Sequence, residues 1–417
     1  MTLHLTADTG LPETPFLGLA PFLRMSIAGT DLKPVGEAML QQVQQHPLDA
    51  NLWMNLSTVM QCLGQRDLGL SFQAQALALQ SCFHWAAFKQ PARLRVLMLM
   101  VPGDLAANTP LDCLLEKSDI ELEFYYLTLG DPFAAPLPEH DALVVALSES
   151  DDNRDLLLFL EAALAHWPKP VINTPAHIPT VGRDAASALL QNVPGLLMPP
   201  TWRTSRTALQ AIADAGSLIN ETFADCDFPV ILRPLDSHGG HNLAKIKDPQ
   251  DVGNYLNDVQ GDDFYISPFV DYSGADGCFR KIRVALIDGK PYACHMAVSS
   301  HWMIHYVNAG MYDQAWKREQ ELAFMTHFQD FAQRHQAALA AIASRCGLDY
   351  VCIDCAQTRS GELLVFEIDH AMVVHAMDLE SQFPYKQIHM RKVRDAFCEL
   401  LASRIQATPS QPSQRLA

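Results

Sequence analysis

Positive charge is scarce in this 417-residue chain: 30 Lys and Arg stand against 47 Asp and Glu, a formal net charge of −17. A surface with that balance repels phosphate backbones, which makes nucleic acid a poor partner. Long apolar runs are missing too. The longest, such as "VLMLMV", fall well short of the ~20 residues that a membrane-spanning helix needs, so no membrane partner is expected. The start, "MTLHLTADTGLPETP", lacks the basic and apolar regions of a secretory signal, and a cytoplasmic location is the expectation. The 10 cysteines are scattered and read as reduced, packed thiols. Cys352 and Cys355 in "VCIDCA" have redox or zinc spacing. Residues three apart on a strand point to opposite faces, which argues against a shared metal or a disulfide.

What is present is ordinary globular material, 49% hydrophobic and 18% charged, enough for two or three domains. Residues 1–34 hold several Pro and Gly and read as an irregular leader. Residues 35–91 carry apolar positions at helical spacing, in "GEAMLQQVQQ", "ANLWMNLSTVMQCLG" and "DLGLSFQAQALALQ". Trp53, Leu56, Ser57, Met60, Gly69 and Ala76 fall at tetratricopeptide spacings, and this stretch resembles that repeat. It reads as a helical cap on the next domain, or as a docking surface for a protein partner. A solenoid needs at least about three repeats to stand alone, which favours the cap.

Residues 92–175 alternate strand and helix signals, which predicts a parallel sheet with binding loops at strand carboxyl ends. "VPGDLAANTP" and "INTPAHIPTVGRD" are those loops. Residues 176–405 hold the chemistry-bearing motifs, and 406–417 read as a disordered tail.

Three constellations stand out. "YVCIDCAQ" and "LLVFEID" are joined by a turn, so antiparallel pairing brings Asp354 beside Glu367 and Asp369. Carboxylates gathered on one patch need a cation. Oxygen-only ligands select Mg²⁺ or Mn²⁺, while an ion-pair cluster with Arg or Lys is the alternative. Next, "RPLDSHGGHN" delivers Arg233 and then His238, Gly239 and Gly240, in a loop whose backbone can approach phosphates closely. Third, Lys281 and Arg283 share a strand face in "FRKIRVALIDGKPY". Inward cations imply bound anions, unless they neutralise the acids directly.

The order of these parts resembles the ATP-grasp superfamily, in particular its glutathione synthetase-like branch, which includes ribosomal-protein glutamate ligases. The resemblance spans roughly residues 93–403. It implies an α/β chain: an α+β ATP-grasp domain preceded by a parallel-sheet domain and a short all-helical N-terminal segment. It also implies a Mg²⁺-dependent, ADP-forming ligase joining small-molecule or peptide carboxylates to amines through an acyl phosphate. By position, Asp354, Glu367 and Asp369 would bind the metal. Arg233 would bind phosphate, and His238, Gly239 and Gly240 would cover it. Ser267, Phe269 and Val270 would line the adenine slot. Arg283 and Asn308 would attend the transferred phosphoryl group.

The chain departs from this pattern in places. Ala185 stands where an early Lys is expected, with Arg183 close by as a substitute. Arg233 replaces a Lys, Asp369 an Asn, and Lys281 an Asp. "HAMVVHAMD" after Asp369 replaces a small-residue loop. His295, His301, His305, His370 and His375 read either as substrate contacts or as packed side chains. The rival to the enzyme is a nucleotide-binding interaction protein that works through the tetratricopeptide-like segment.

Overall fold

Near-continuous burial along strands such as Ala142–Val145 and Tyr350–Gln357 marks the sheets as the core of the larger part of the chain. The computed structural model describes residues 14–128, 130, 132–215, 219–235, 237 and 239–408. It divides into two compact units, Met1–Asp141 and Ala142–Ala417. The division falls inside the 92–175 stretch expected as one domain.

The first unit opens with helices α1 (Ala20–Ile27), α2 (Lys33–Gln45), α3 (Ala50–Cys62) and α4 (Arg66–Leu79). Helix α1 lies within the stretch expected to be an irregular leader. Asp49 caps α3 by accepting a hydrogen bond from the Leu52 amide at 2.9 Å. Leu52, Leu56, Val59 and Met60 then recur at three and four residues and are buried. Gly69 permits the close approach of α4: a Cβ there would lie 2.5 Å from Gln61 Cγ and 3.0 Å from the Ser57 carbonyl oxygen. Strands β1 (Cys82–Trp85) and β2 (Leu94–Met100), helix α5 (Leu111–Leu115) and strand β3 (Ile120–Tyr126) follow. β3 pairs parallel with β2 and antiparallel with β1. Gln73 of α4 exchanges two hydrogen bonds with Gly103 after β2, at 3.0 and 2.8 Å. Helix α4 is thereby fastened to the loop after β2.

The second unit begins with β4 (Ala142–Val145), α6 (Arg154–Leu164) and β5 (Val171–Ile172), and β4 and β5 pair parallel. A 3₁₀ turn at Pro175–Val181, α7 (Arg183–Leu189) and β6 (Leu196–Leu197) lead onward. A four-stranded antiparallel sheet comes next. It is built from β7 (Trp202–Ser205), β8 (Val230–Pro234), β9 (Ala244–Ile246) and β10 (Asp263–Pro268), in the order β7-β10-β8-β9. Helices α8 (Arg206–Ala215), α9 (Ile219–Thr222) and α10 (Pro249–Asp258) accompany it. Leu209, Ile212, Val252 and Leu256 from these helices share one core with Leu232, Phe264 and Ile266 of the sheet.

The last sheet carries the acids. Its strands are β11 (Phe279–Ile287), β12 (Lys290–Ser299), β13 (Tyr350–Gln357) and β14 (Leu363–Asp369), with order β12-β11-β13-β14-β6. Helices α11 (Ala315–Thr326), α12 (Phe328–Arg334) and α13 (Gln336–Cys346) form the polar helical stretch before β13, and α14 (Lys386–Ala407) closes the chain. Helix α14 thus runs into the region expected as tail, and residues 409–417 of that region lie outside the described residues. The fold class is the α/β one expected, with helices first, parallel strand pairs next and antiparallel sheets after. No described helix is long and apolar enough to cross a membrane.

One buried polar network fixes the segments around the acid sheet. Glu321 of α11 is fully buried and accepts hydrogen bonds from the hydroxyls of Tyr306 (2.8 Å) and Tyr385 (2.7 Å). Lys386 Nζ lies 3.3 Å from Glu321 and 3.1 Å from Asp378, and the Tyr312 hydroxyl donates to Asp378 at 2.9 Å. Removing one member of such a cluster strands the opposite charge in the interior. Lys386→Met is expected to cost about 3–5 kcal/mol of unfolding free energy, read as a lowered denaturant midpoint with an unchanged slope.

Candidate active site

Register decides which charges meet. Across β13 and β14, Asp354 lies directly opposite Glu367 and Cys352 opposite Asp369, so the three acids stand on one face of the hairpin. Across β11 and β13, Arg283 lies opposite Asp354. Its guanidinium grips that carboxylate at two points, Nε to Oδ1 at 2.7 Å and Nη2 to Oδ2 at 3.0 Å. Lys281 Nζ, two residues along the same face, is 2.7 Å from Asp354 Oδ2. Burial pushes the Asp354 carboxyl upward, yet Arg283 and Lys281 together hold it well below the ordinary carboxylate range.

Glu367 has a cation of its own. Arg183, at the start of α7, pairs with Glu367 Oε1, and Arg233 of β8 is within electrostatic reach. Burial again works upward, but Arg183 and Arg233 outweigh it and lower the Glu367 carboxyl. Arg233 itself is buried. Its Nε donates to Ser237 Oγ at 3.1 Å, and its Nη2 donates to the Ser237 carbonyl. Burial and the neighbouring Arg183 push its guanidinium down to about 10. Asp369 Oδ1 accepts from the Ala371 amide at 2.8 Å.

These contacts engage two of the three carboxylates expected to hold a metal. A carboxylate offers about four lone-pair positions, and Arg283 with Lys281 takes three of those on Asp354. Among the described residues no group of three His, Cys, Asp or Glu side chains is arranged to hold a metal. Asp354 is a clamp for two cations. Glu367, paired with Arg183, and Asp369 stand together as oxygen donors on one strand face. That pair suits Mg²⁺, which commonly takes one or two carboxylates and completes its shell with phosphate oxygens and water.

The remaining expected residues divide into two groups. Gly239 and Gly240 adopt positive φ of 63° and 74°, and the His305 ring covers them; a Cβ on Gly240 would lie 3.4 Å from His305 Cδ2. Phe269 carries Lys245 Nζ over its ring at 3.4 Å and Trp302 edge-on at 5.6 Å. Ser267 and Phe269 sit at the end of β10 and just beyond it, where the Phe269 amide donates to the Pro229 carbonyl at 3.0 Å. Val270 packs instead against the Tyr272, Ala356 and Leu364 cluster. His238 lies outside the described residues. Asn308 is not gathered with the charged residues: it is exposed, and its side-chain oxygen accepts from the His305 amide at 2.9 Å, closing a 3₁₀ turn.

Lys245 and Trp302 were not among the expected site residues; His305 was, as a candidate substrate contact, and the fold lays its ring against the glycine loop. His295 is the cross-strand neighbour of Arg283 and packs against Tyr306 with tilted rings, centroids 4.9 Å apart. The His301 amide donates to Ser299 Oγ at 3.1 Å, and His375 Nδ1 accepts from the Met377 amide at 3.1 Å.

No protein-family model matches the sequence, and no curated protein matches it. Solved structures similar to it include D-alanine–D-alanine ligase from Bacillus anthracis complexed with ATP. That match has 12% identity, covers 75% of this chain and 98% of that one, and has a TM-score of 0.44. A RimK domain ATP-grasp protein from Sphaerobacter thermophilus matches with 15% identity, 75% and 100% coverage, and a TM-score of 0.40. The ATP-grasp ligase PsnB, complexed with Mg, ADP and a phosphomimetic variant of its minimal precursor, matches with 14% identity, 74% and 98% coverage, and a TM-score of 0.41. Matches this remote do not assign the chain to a family.

His370 has a positioning role. It is fully buried, and its Nε2–H donates to the Leu147 carbonyl at 3.0 Å, tying the end of β14 to the loop after β4. Burial depresses its pKa to about 4. The folded state therefore keeps the ring neutral where the unfolded chain protonates it, near pH 6.5. Its contribution to stability is complete above about pH 6.5 and is lost as pH falls toward 4. The loss amounts to about 3 kcal/mol. Denaturant titrations at stepped pH should give a shallower decline over that window for His370→Gln than for the wild type.

Proposed function

We propose that this chain is an ATP-dependent, ADP-forming carboxylate–amine ligase that works through an acyl phosphate and requires Mg²⁺ or Mn²⁺. One observation carries the reading. In a chain of net charge −17, Arg183, Arg233, Lys281 and Arg283 converge on one acid-bearing hairpin. That concentration of positive charge, held on strands and beside a glycine loop, suits a polyphosphate.

Each residue has a task in this scheme. The backbone of Gly239 and Gly240 cradles phosphate oxygens beneath His305. The aromatic ring of Phe269, with Lys245 and Trp302, receives the base. Arg283 and Lys281, fixed by Asp354, face the phosphoryl group as it passes from ATP to the carboxylate, and ADP leaves. Phosphoryl transfer asks mainly for positioning and charge neutralisation, which is what fixed cations give. Held by Glu367 and Asp369, Mg²⁺ would neutralise charge on the nucleotide oxygens. The amine then displaces phosphate from the acyl carbon to leave an amide, and exclusion of water protects the mixed anhydride.

The pairing of Asp354 and Glu367 with cations favours a second reading, nucleotide binding without turnover. Here the tetratricopeptide-like helices would serve as the docking surface. ADP release from Mg²⁺-ATP separates the two when measured across a panel of amino acids and small carboxylates, in wild type and Glu367→Gln. Substrate-stimulated release that falls to background in the variant is expected. Tight ATP binding without stimulated release across the panel would favour the binding protein. Equal rates in the variant would remove Glu367 from the metal site.

A further inference from the structure

Between the loop after β4 and the start of α7 lies a cavity of about 360 Å³, the size of a small-ligand site. Its charged lining comprises Glu149, Arg154, Asp184 and Arg203, with Gly182 and Ala185 completing the wall. Three of the four charges already have opposite partners. Arg203 Nη1 is 2.6 Å from Asp151 and its Nε is 3.1 Å from Asp184. Arg154 Nη2 is 2.6 Å from Asp151.

Glu149 is different. Among the described residues it has no hydrogen bond and no ion pair, although it is only partly exposed. Its carboxylate lies against the backbone of Gly182, where a Cβ would come within 3.1–3.2 Å of the carboxylate atoms. Burial is the main influence raising its pKa. Arg203 opposes that rise, while Asp151, Asp184 and Asp369 add to it. Gly182 and Asp184 of the cavity wall flank Arg183, which pairs with Glu367 of β14, so the cavity lies beside the acid strand. A half-buried carboxylate with negative neighbours and no cation of its own lacks one thing, a positive donor.

We propose that this cavity is the binding site for the amine substrate, a primary amine of amino-acid size, and that Glu149 receives its ammonium group. The proposal rests on the ligase reading for the word substrate, while the site itself is defined without nucleotide. The small Ala185 keeps the wall open. Glycine at 182 lets the carboxylate stand against the backbone in the cavity lining.

Ligand-observed NMR without nucleotide tests the site apart from the ligase reading, which stands or falls on ADP release. Protonated glycinamide is the cationic probe and acetate the anionic one. Glycinamide is expected to bind the wild type, with acetate much weaker. Losing a charge-assisted hydrogen bond should weaken glycinamide about tenfold or more in Glu149→Gln. Gly182→Ala, which displaces the carboxylate and retains its charge, should also weaken glycinamide and serves as the check should Glu149→Gln fold poorly. Glycinamide that fails to bind the wild type, that binds Glu149→Gln equally well, or that is outcompeted by acetate would overturn the assignment.

Discussion

The two-point grip of Arg283 on Asp354 is the contact on which the acid sheet's chemistry depends. It crosses from β11 to β13 in register, and Asp354 is only 1% exposed. A buried carboxylate alone would cost several kcal/mol or take up a proton. Two cations remove that cost, and they are themselves held in place by doing so. Arg283 also donates to the Val373 carbonyl at 2.9 Å, so the same guanidinium ties β11 and β13 to the loop beyond β14. One interaction thus makes the acid tolerable, orients the cations and fixes the loop wall.

Around that grip the charge is arranged against the average of the chain. The surface repels anions at long range, while the hairpin gathers Arg183, Arg233, Lys281 and Arg283. Screening limits the surface field to about a Debye length, near 8–10 Å at ordinary salt, so the local cations govern what happens at contact. Arg233 lies beside Arg183 despite their like charge, and burial with that repulsion lowers its pKa. Cations held close together and paired with fewer acids lose least when a polyanion arrives.

Much of this was legible in the sequence because it depends on period and order. The acid hairpin follows from the alternation of Leu363, Val365, Glu367 and Asp369, and the glycine loop from adjacent glycines after a strand. The helical spacing of residues 35–91 likewise appears as α2, α3 and α4. Pairing of the acids with Lys281 and Arg283 was one of two open readings, and the sequence did not decide between them. Whether Asp354 faces a metal or a guanidinium depends on the cross-strand register of β11, which "FRKIRVALI" does not encode by itself. Arg183 reaches Glu367 across 184 residues of sequence, and the placing of His305 on Gly240 is likewise tertiary. The placing of Asn308 is tertiary too: the 3₁₀ turn points its oxygen to the His305 amide.

The loop "HAMVVHAMD" is where the chain departs most from the pattern it resembles, and it is pinned along its length. His370 holds it to the carbonyl of Leu147, Val373 is held by Arg283, and Asp378 is held by Tyr312 and Lys386. A loop fastened at its start, middle and end by buried partners presents a fixed wall. Reshaping that wall would break buried charged contacts, each costing several kcal/mol. The polar anchors and the unusual loop sequence are therefore one feature: the anchors allow a long loop to hold a single shape beside Asp369.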